Sequence, residues 1–239
     1  MSNSQIQLLS AKRFLPLFVT QALGALNDNL FKNALALLII FQIAEAAELN
    51  GQIMVTAASG IFILPFFLFS AMAGQLADKF EKSRLIQTIK AAEVAIMGMA
   101  AAGFMYGNVY FLIGVLFLMG MQSAFFGPVK YSILPTHLAE EELIAGNALI
   151  EAGTFLAILL GTIAGGLLIL RDGGIEVVSG GVILLSLLGF ASSFSIPKAP
   201  APAPALKINA NLVAETWFIV KDSTKQRDIF LSILGISWF

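Results

Sequence analysis

The chain has 239 residues, 58% hydrophobic and 12% charged, with a formal net charge of −1. Soluble domains run nearer roughly 45–50% apolar and about 25% charged, so this composition marks an integral membrane protein; with no basic patch interleaved with aromatics, nucleic acid has nothing to bind. With no Cys and a single His, disulfides, thiolate metal sites and His-based metal clusters are excluded.

Residues 14–41 form the first apolar segment, roughly 42 Å long as a helix and longer than the ~30 Å hydrocarbon core requires. Asp28 falls near its middle, where a carboxylate costs ~2.5–3.5 kcal/mol on insertion scales. Chains keep such groups where they face a bundle interior or a water-filled cavity. Asn27, Asn29, Lys32 and Asn33 cluster with it, so this face is expected to make polar contacts. Asp28 and Lys32 are four apart and can touch, which leaves a self-satisfied ion pair as the alternative to a site. The run is too long for a secretory signal peptide, carries charge and lacks a small-residue cleavage site.

Five further segments long enough to span follow, at residues 51–77, 85–106, 109–127, 143–170 and 177–196. None alternates like the strands of an outer-membrane barrel. The short loop after the second segment reads Gly74-Gln-Leu-Ala-Asp78-Lys-Phe-Glu-Lys82-Ser-Arg84. Gly74 would let helices approach closely, Asp78 would cap or pair across the bundle, and Lys79, Lys82 and Arg84 would anchor at anionic headgroups; an ordinary basic loop is the alternative. Lys90 and Glu93, near the start of the third segment, read as a local pair or as snorkelling side chains rather than a site.

Pro128 removes a helical hydrogen bond and is expected to kink or end the fourth segment. Lys130, just beyond, either joins a site or snorkels to the interface. Glu151 lies ~12 Å into the fifth segment, deeper than an interfacial residue. On one face of that segment Gly161 and Gly165 are expected to permit close helix packing. His137 followed by Glu142 mimics an acyltransferase His-x-x-x-x-Asp motif with the wrong acid, in a connection read as solvated. No phosphate loop, nucleophile elbow or paired catalytic carboxylate supports an enzyme.

Lys and Arg set the orientation. Lys12, Arg13, Lys79, Lys82, Arg84, Lys130 and the basic residues beyond residue 197 fall on one side, whereas the opposite loops hold only Arg171. The N-terminus is therefore expected in the cytoplasm, together with residues 197–228. That stretch opens with Pro197, Pro200, Pro202 and Pro204, a semi-rigid polyproline spacer. Beyond it Leu212, Val213, Thr216, Trp217 and Val220 recur at helical spacing, which predicts a short amphipathic helix on the membrane face. A seventh apolar run, residues 229–239, is too short to cross a bilayer and reads as the cut-off start of another span.

The loop at 74–84 resembles the signature loop of the major facilitator superfamily, with Glu81 where the general pattern has a second Gly. The glycines of the fifth segment resemble its antiporter motif, with Thr162 in place of Pro, and packing is the favoured reading. Taken with that loop, Ala25-Leu-Asn-Asp-Asn-Leu-Phe-Lys-Asn-Ala34, Pro128-x-Lys-Tyr-x-Ile-Leu134 and Asn147-x-Leu-x-Glu-Ala152 resemble the bacterial lysophospholipid transporter family. That family includes permease modules fused to a 2-acylglycerophosphoethanolamine acyltransferase.

The resemblance implies an all-α integral membrane fold: the six-helix N-terminal half of a twelve-helix transporter, made of two inverted three-helix repeats. Residues 1–196 would be the bundle, 197–228 a cytoplasmic linker and 229–239 the start of the seventh helix. It implies a non-enzymatic carrier moving lysophospholipids such as lysophosphatidylethanolamine across the bacterial inner membrane, with no cofactor beyond a coupling cation, sodium or proton. Asp28, Asn29, Lys130, Glu151 and Arg227 would contact substrate or ion, and Gly74, Asp78, Lys82 and Arg84 would form the gating loop. The partners implied are membrane lipids, the lysophospholipid and a C-terminal half. Two other readings stand beside it: a generic facilitator-type exporter, and a non-transporting membrane anchor for a downstream acyltransferase.

Overall fold

The computed structural model describes residues 7–43, 50–209 and 211–238; Phe239, where the seventh apolar run ends, lies outside them, as do residues 1–6 of the first unit. The described residues form helices and no strand. Among the described residues six helices are long and apolar enough to cross a membrane: α1 (Leu15–Leu38, continued by a π-helical turn at Ile39–Ile43), α2 (Gly51–Lys79), α3 (Lys82–Tyr106), α4 (Val109–Ser132), α5 (Glu140–Ile169) and α6 (Gly174–Ser193).

Local chemistry sets the ends. Asn50 and Asn108 cap α2 and α4 with their side-chain oxygens, satisfying amides that have no helical partner. α3 begins earlier than hydropathy suggests because the Glu81 carboxylate accepts the N–H groups of Ser83 and Arg84, each at 3.0 Å. Of the two outcomes expected at Pro128, a kink or an end, the end does not occur: the proline stands inside α4. Its ring costs one bond of the helical ladder, and membrane helices tolerate that where neighbours cover the freed carbonyl. The break comes at Ile133, followed by a one-turn helix, Leu134–His137.

The helices pair in a pattern with internal symmetry. α1 packs most extensively on α5, α2 on α4, and α3 on α6. Exchanging helices 1–3 with helices 4–6 in order converts the first pair into the second and leaves the third unchanged, which is the contact pattern of two three-helix repeats. Because three is odd, the second repeat starts from the opposite membrane face.

Glycines bring the axes together. A Cβ on Gly161 would lie 2.5 Å from the Leu26 carbonyl oxygen, and one on Gly165 2.5 Å from that of Leu30, so larger residues there would force α1 and α5 apart. Thr162 adds a bond across the same seam, accepting from the Asn33 amide at 3.1 Å. α2 meets α4 where Gly120 lies against the Phe62 carbonyl. Gly74 does not serve this purpose: a Cβ built there meets nothing within 4 Å.

Two apolar cores result, one at each end of the bundle. Phe31, Met97, Phe104, Leu112 and Met119 centre the first; Phe14, Ile86, Val129, Ile133 and Ile150 centre the second, at the Lys/Arg-rich end. Between them lies a polar layer. Phe67 on α2 and Phe155, Leu159 and Leu167 on α5 face outward and exposed, as lipid-facing or partner-facing residues do.

The Pro-rich segment is not a free spacer. The Ala203 N–H donates to the Asp78 carbonyl at 2.9 Å, and Asn209 exchanges hydrogen bonds with the Gln75 side chain at 2.7 and 3.4 Å. These bonds lay residues 199–209 along the end of α2. Beyond them α7 (Leu212–Ser223), capped by Asn211, packs on α2, and α8 (Arg227–Trp238) touches α7.

Candidate functional site: a charged cavity at mid-bundle

The polar layer lines an open cavity of about 380 Å³ that draws on α1 to α5. From α1 come Gln21, Asp28 and Asn29, from α2 Phe62 and Phe66, and from α3 Lys90 and Glu93. α4 supplies Gln122, Ser123, Phe126 and Lys130, and α5 supplies Thr154. Asp28, Glu93 and Gln122 each lie ~15–20 Å from their helix ends, so this is the middle of the bundle.

A continuous hydrogen-bonded chain crosses the layer. Lys90 and Glu93, 1% and 2% exposed, form an ion pair at 2.6 Å. Gln122 donates to Glu93 Oε2 at 3.0 Å and Asn27 to Oε1 at 3.4 Å. Ser123 lies 3.2 Å from Gln122 Oε1 and donates to Asp28 Oδ2 at 2.8 Å. Asp28 Oδ1 is enclosed and has no partner. Lys90 also lies 4.9 Å from the Phe126 ring centroid, and its Nζ fills the space that a Cβ on Gly24 would take. Glycine at position 24 is therefore what lets a lysine enter between α1 and α3.

Lys130 stands 4.6 Å from the Tyr131 ring centroid, and the Tyr131 hydroxyl donates to Glu151. Asn29 lines the cavity but spends its amide on the Ala25 carbonyl at 2.7 Å. Asp28, Asn29 and Lys130 are thus brought together, with Glu151 attached through Tyr131. Arg227 is not brought in: it is exposed at the start of α8 and does not line the cavity. The alternative weighed in the sequence, a self-satisfied Asp28–Lys32 ion pair, is not formed among the described residues. Lys32 lies over the Phe62 ring, 4.4 Å from its centroid.

The Lys90–Glu93 pair, set aside in sequence as local, is local in its bonding yet lines the cavity. The depth that singles out Glu151 applies equally to Glu93, and Gln122-Ser123 is a polar step between the apolar stretches of α4. Those two signals were present in the chain.

Residues 74–84, read as a loop in the sequence, are the end of α2 and the start of α3 with only Phe80 and Glu81 between them, and they lie at the end of the bundle rather than in the cavity. Asp78 is exposed, and among the described residues its carboxylate neither caps a helix nor pairs across the bundle. Lys82 is 3% exposed, and its ammonium reaches the Pro200 carbonyl at 3.5 Å; burial under the Pro-rich segment keeps it from the headgroups, whereas Arg84 is exposed. Glu81 is the hinge of this arrangement. Besides capping α3 it accepts the Ala199 N–H at 2.8 Å, while the Lys82 N–H donates to the Ala199 carbonyl at 3.0 Å. His137 is half-buried rather than freely solvated, and both ring nitrogens are enclosed. Glu142 is committed to Arg13 through two bonds of 2.7 Å, so no catalytic His–acid pair forms.

Burial would raise the Glu81 pKa, but the bonds from Ala199, Ser83 and Arg84 outweigh it and hold the carboxyl below its ordinary value. A folded-state pKa below the unfolded one stabilises fully above the ordinary glutamate value of about 4.3, and the contribution fades as pH falls through the depressed folded value. Glu81→Gln is accordingly expected to accelerate amide exchange at Ala199 by about tenfold at neutral pH, consistent with losing a charge-assisted cap. In the unmodified protein the protection of that amide, relative to its intrinsic exchange rate, should fall only as pH drops below about 4.3. Unchanged exchange in Glu81→Gln would show that burial alone holds the segment.

Six helices of spanning length, paired as two three-helix repeats around a charged mid-bundle layer, have the architecture of a major facilitator half. The Major Facilitator Superfamily profile matches residues 17–239, and the chain belongs to that superfamily. It is similar to the Lysophospholipid transporter LplT of Salmonella newport (strain SL254), 30% identical over 208 residues, which is 87% of this chain and 48% of the relative. The proteins of the same name from Salmonella typhi and Salmonella typhimurium match with the same identity and coverage. The chain spans about half the length of these relatives.

Proposed function

We infer that this chain forms one wall of a secondary transporter that moves lysophospholipids, such as lysophosphatidylethanolamine, across the bacterial inner membrane by alternating access. The observation that carries the reading is the mid-bundle cavity, where Asp28, Lys90–Glu93 and Lys130 of both signs face the aromatic wall of Phe62, Phe66 and Phe126. A zwitterionic headgroup needs both signs of charge at close quarters, and a lipid needs an apolar flank beside them. The names of the relatives support the same substrate class. The N-terminus and residues 197–228 lie on the cytoplasmic side in this reading, which follows the Lys/Arg asymmetry.

Residues 1–196 act as the N-terminal half, 197–228 as the inter-half linker and 229–239 as the start of the next helix. A C-terminal half closes the cavity, and Arg227 contributes, if at all, in a state in which that half is docked. Asp28, with its unpartnered Oδ1, is the group that would take the lipid's amine or a coupling cation, sodium or proton. The chain works as a carrier rather than as an enzyme.

The test is uptake by proteoliposomes of the full-length gene product. Saturable movement of lysophosphatidylethanolamine is expected, competed by other lysophospholipids and not by amphipathic drugs. Equal competition by drugs would turn the reading into that of a general exporter; no movement of any lysolipid would remove it.

A further inference from the structure

Asp28 and Lys32 lie one turn apart on α1, a rise of ~6 Å. Opposite charges at this spacing normally pair, yet here separate helices hold them apart. Ser123 of α4 donates to Asp28 at 2.8 Å, and the Phe62 ring of α2 lies under the Lys32 ammonium at 4.4 Å. Each charge keeps unused capacity: Asp28 Oδ1 has no partner, and an ammonium on an aromatic face still has donors to give.

Phe62 has a second role. It lines the polar cavity and also a separate cavity of about 310 Å³, which Lys32 heads. Beyond Lys32 that second space is walled by Leu35, Ile39, Val55, Ala58 and Leu116. Its one hydroxyl, on Ser59, is turned back onto the Val55 carbonyl at 3.0 Å. Read along α1 from the Lys/Arg-rich end, the order is therefore a carboxylate, an ammonium, then an apolar slot. A phosphoethanolamine lipid with one acyl chain carries its parts in the complementary order: an amine, a phosphate one short linker away, then a single hydrocarbon tail.

We propose that Lys32 is the phosphate-binding residue of the lipid site and that the slot it heads takes the single acyl chain. The lipid then lies along α1 with its amine at Asp28 and its tail between α1, α2 and α4, pointing away from the Lys/Arg-rich end. Binding draws the Lys32 ammonium off Phe62 and onto the phosphate, a stronger, charge-assisted contact. The ring, released, is free to cover the tail. This rests on the lysophospholipid reading above and adds to it an orientation and a binding role for Lys32.

The experiment measures binding of three lipids of equal chain length to the full-length protein in nanodiscs: lysophosphatidylethanolamine, lysophosphatidic acid (phosphate without amine) and monoacylglycerol (neither). Lys32→Gln is expected to weaken both phosphate lipids about ten- to hundred-fold, the loss of one hydrogen-bonded charge, and to leave monoacylglycerol unchanged. Lys32→Arg keeps a phosphate-binding cation and should stay within about threefold of the parent. Ser59→Leu, which narrows the slot from an exposed position, should weaken long-chain lipids more than short-chain ones while sparing the preference for phosphate.

Undiminished phosphate-lipid binding by Lys32→Gln, or an equal loss of all three lipids, would overturn the proposal and leave Lys32 as a packing residue. Should Lys32→Gln fail to fold, chain-length-independent binding by Ser59→Leu would overturn it on its own. If the parent protein binds none of the three lipids, the lysophospholipid reading itself falls, an outcome distinct from the others.

Discussion

Asp28→Asn is expected to fold normally and to lose lysolipid transport by about ten- to hundred-fold, the effect of removing one charge-assisted contact in a low-dielectric site. The substitution keeps the side chain's shape, and the Ser123 hydroxyl at 2.8 Å can donate to an amide oxygen as it does to a carboxylate. What disappears is the charge on an oxygen that is enclosed and unpartnered. With no ion pair to Lys32, the carboxylate has no structural debt that the amide would leave unsettled. Uptake normalised to folded protein separates the outcomes. Near-wild-type uptake would remove Asp28 from the site, and loss of folded protein would make it a structural residue.

The buried pair on α3 should give the largest effect on stability. Lys90 and Glu93 touch at 2.6 Å with almost no exposure, so removing one partner strands the other charge inside the bundle. Losses of about 3–5 kcal/mol are typical of that change. Lys90→Met and Glu93→Gln should each lower the thermal stability of the detergent-solubilised protein severely. The double variant should recover most of the loss, because a neutral pair has no stranded charge. Additive losses would mean that each residue acts through separate contacts, Glu93 through Gln122 and Asn27 and Lys90 through Phe126, rather than as a pair.

The fold was largely legible because a bilayer leaves a chain few choices. Twenty or so apolar residues must form a helix, and glycines four apart mark where two helices touch; Gly161 and Gly165 on α5 carried that signal in full. Helix ends were less legible. Glu81 lies beyond the apolar run of α3 and caps it with a side chain that hydropathy counts only as polar. Pro128 reads as a breaker in water but is carried within α4.

The cavity was half legible. Depth alone exposes Asp28, since a lone carboxylate at mid-span demands shelter. Lys90 and Glu93 hid behind their own spacing, because a pair three apart on a helix is an everyday surface feature. Only the packing of α1 against α3 at Gly24 turns it into the wall of a cavity. Arg227 was singled out by resemblance, and no residue of the cavity reaches it. The Pro-rich segment reads as a spacer by composition, and its docking along α2 depends on tertiary hydrogen bonds to Gln75, Asp78 and Glu81 that no local pattern encodes.

The most direct test of the central claim, that the mid-bundle cavity receives the lysolipid headgroup, is photolabelling. The probe is a lysophosphatidylethanolamine with its reactive group beside the headgroup, applied to the full-length protein in nanodiscs. Label is expected on the peptides containing Asp28, Phe62, Phe66 and Phe126, to be displaced by excess unlabelled lipid, and to fall in Asp28→Asn. Label confined to the outward face of residues 155–167, and indifferent to competitor, would contradict it.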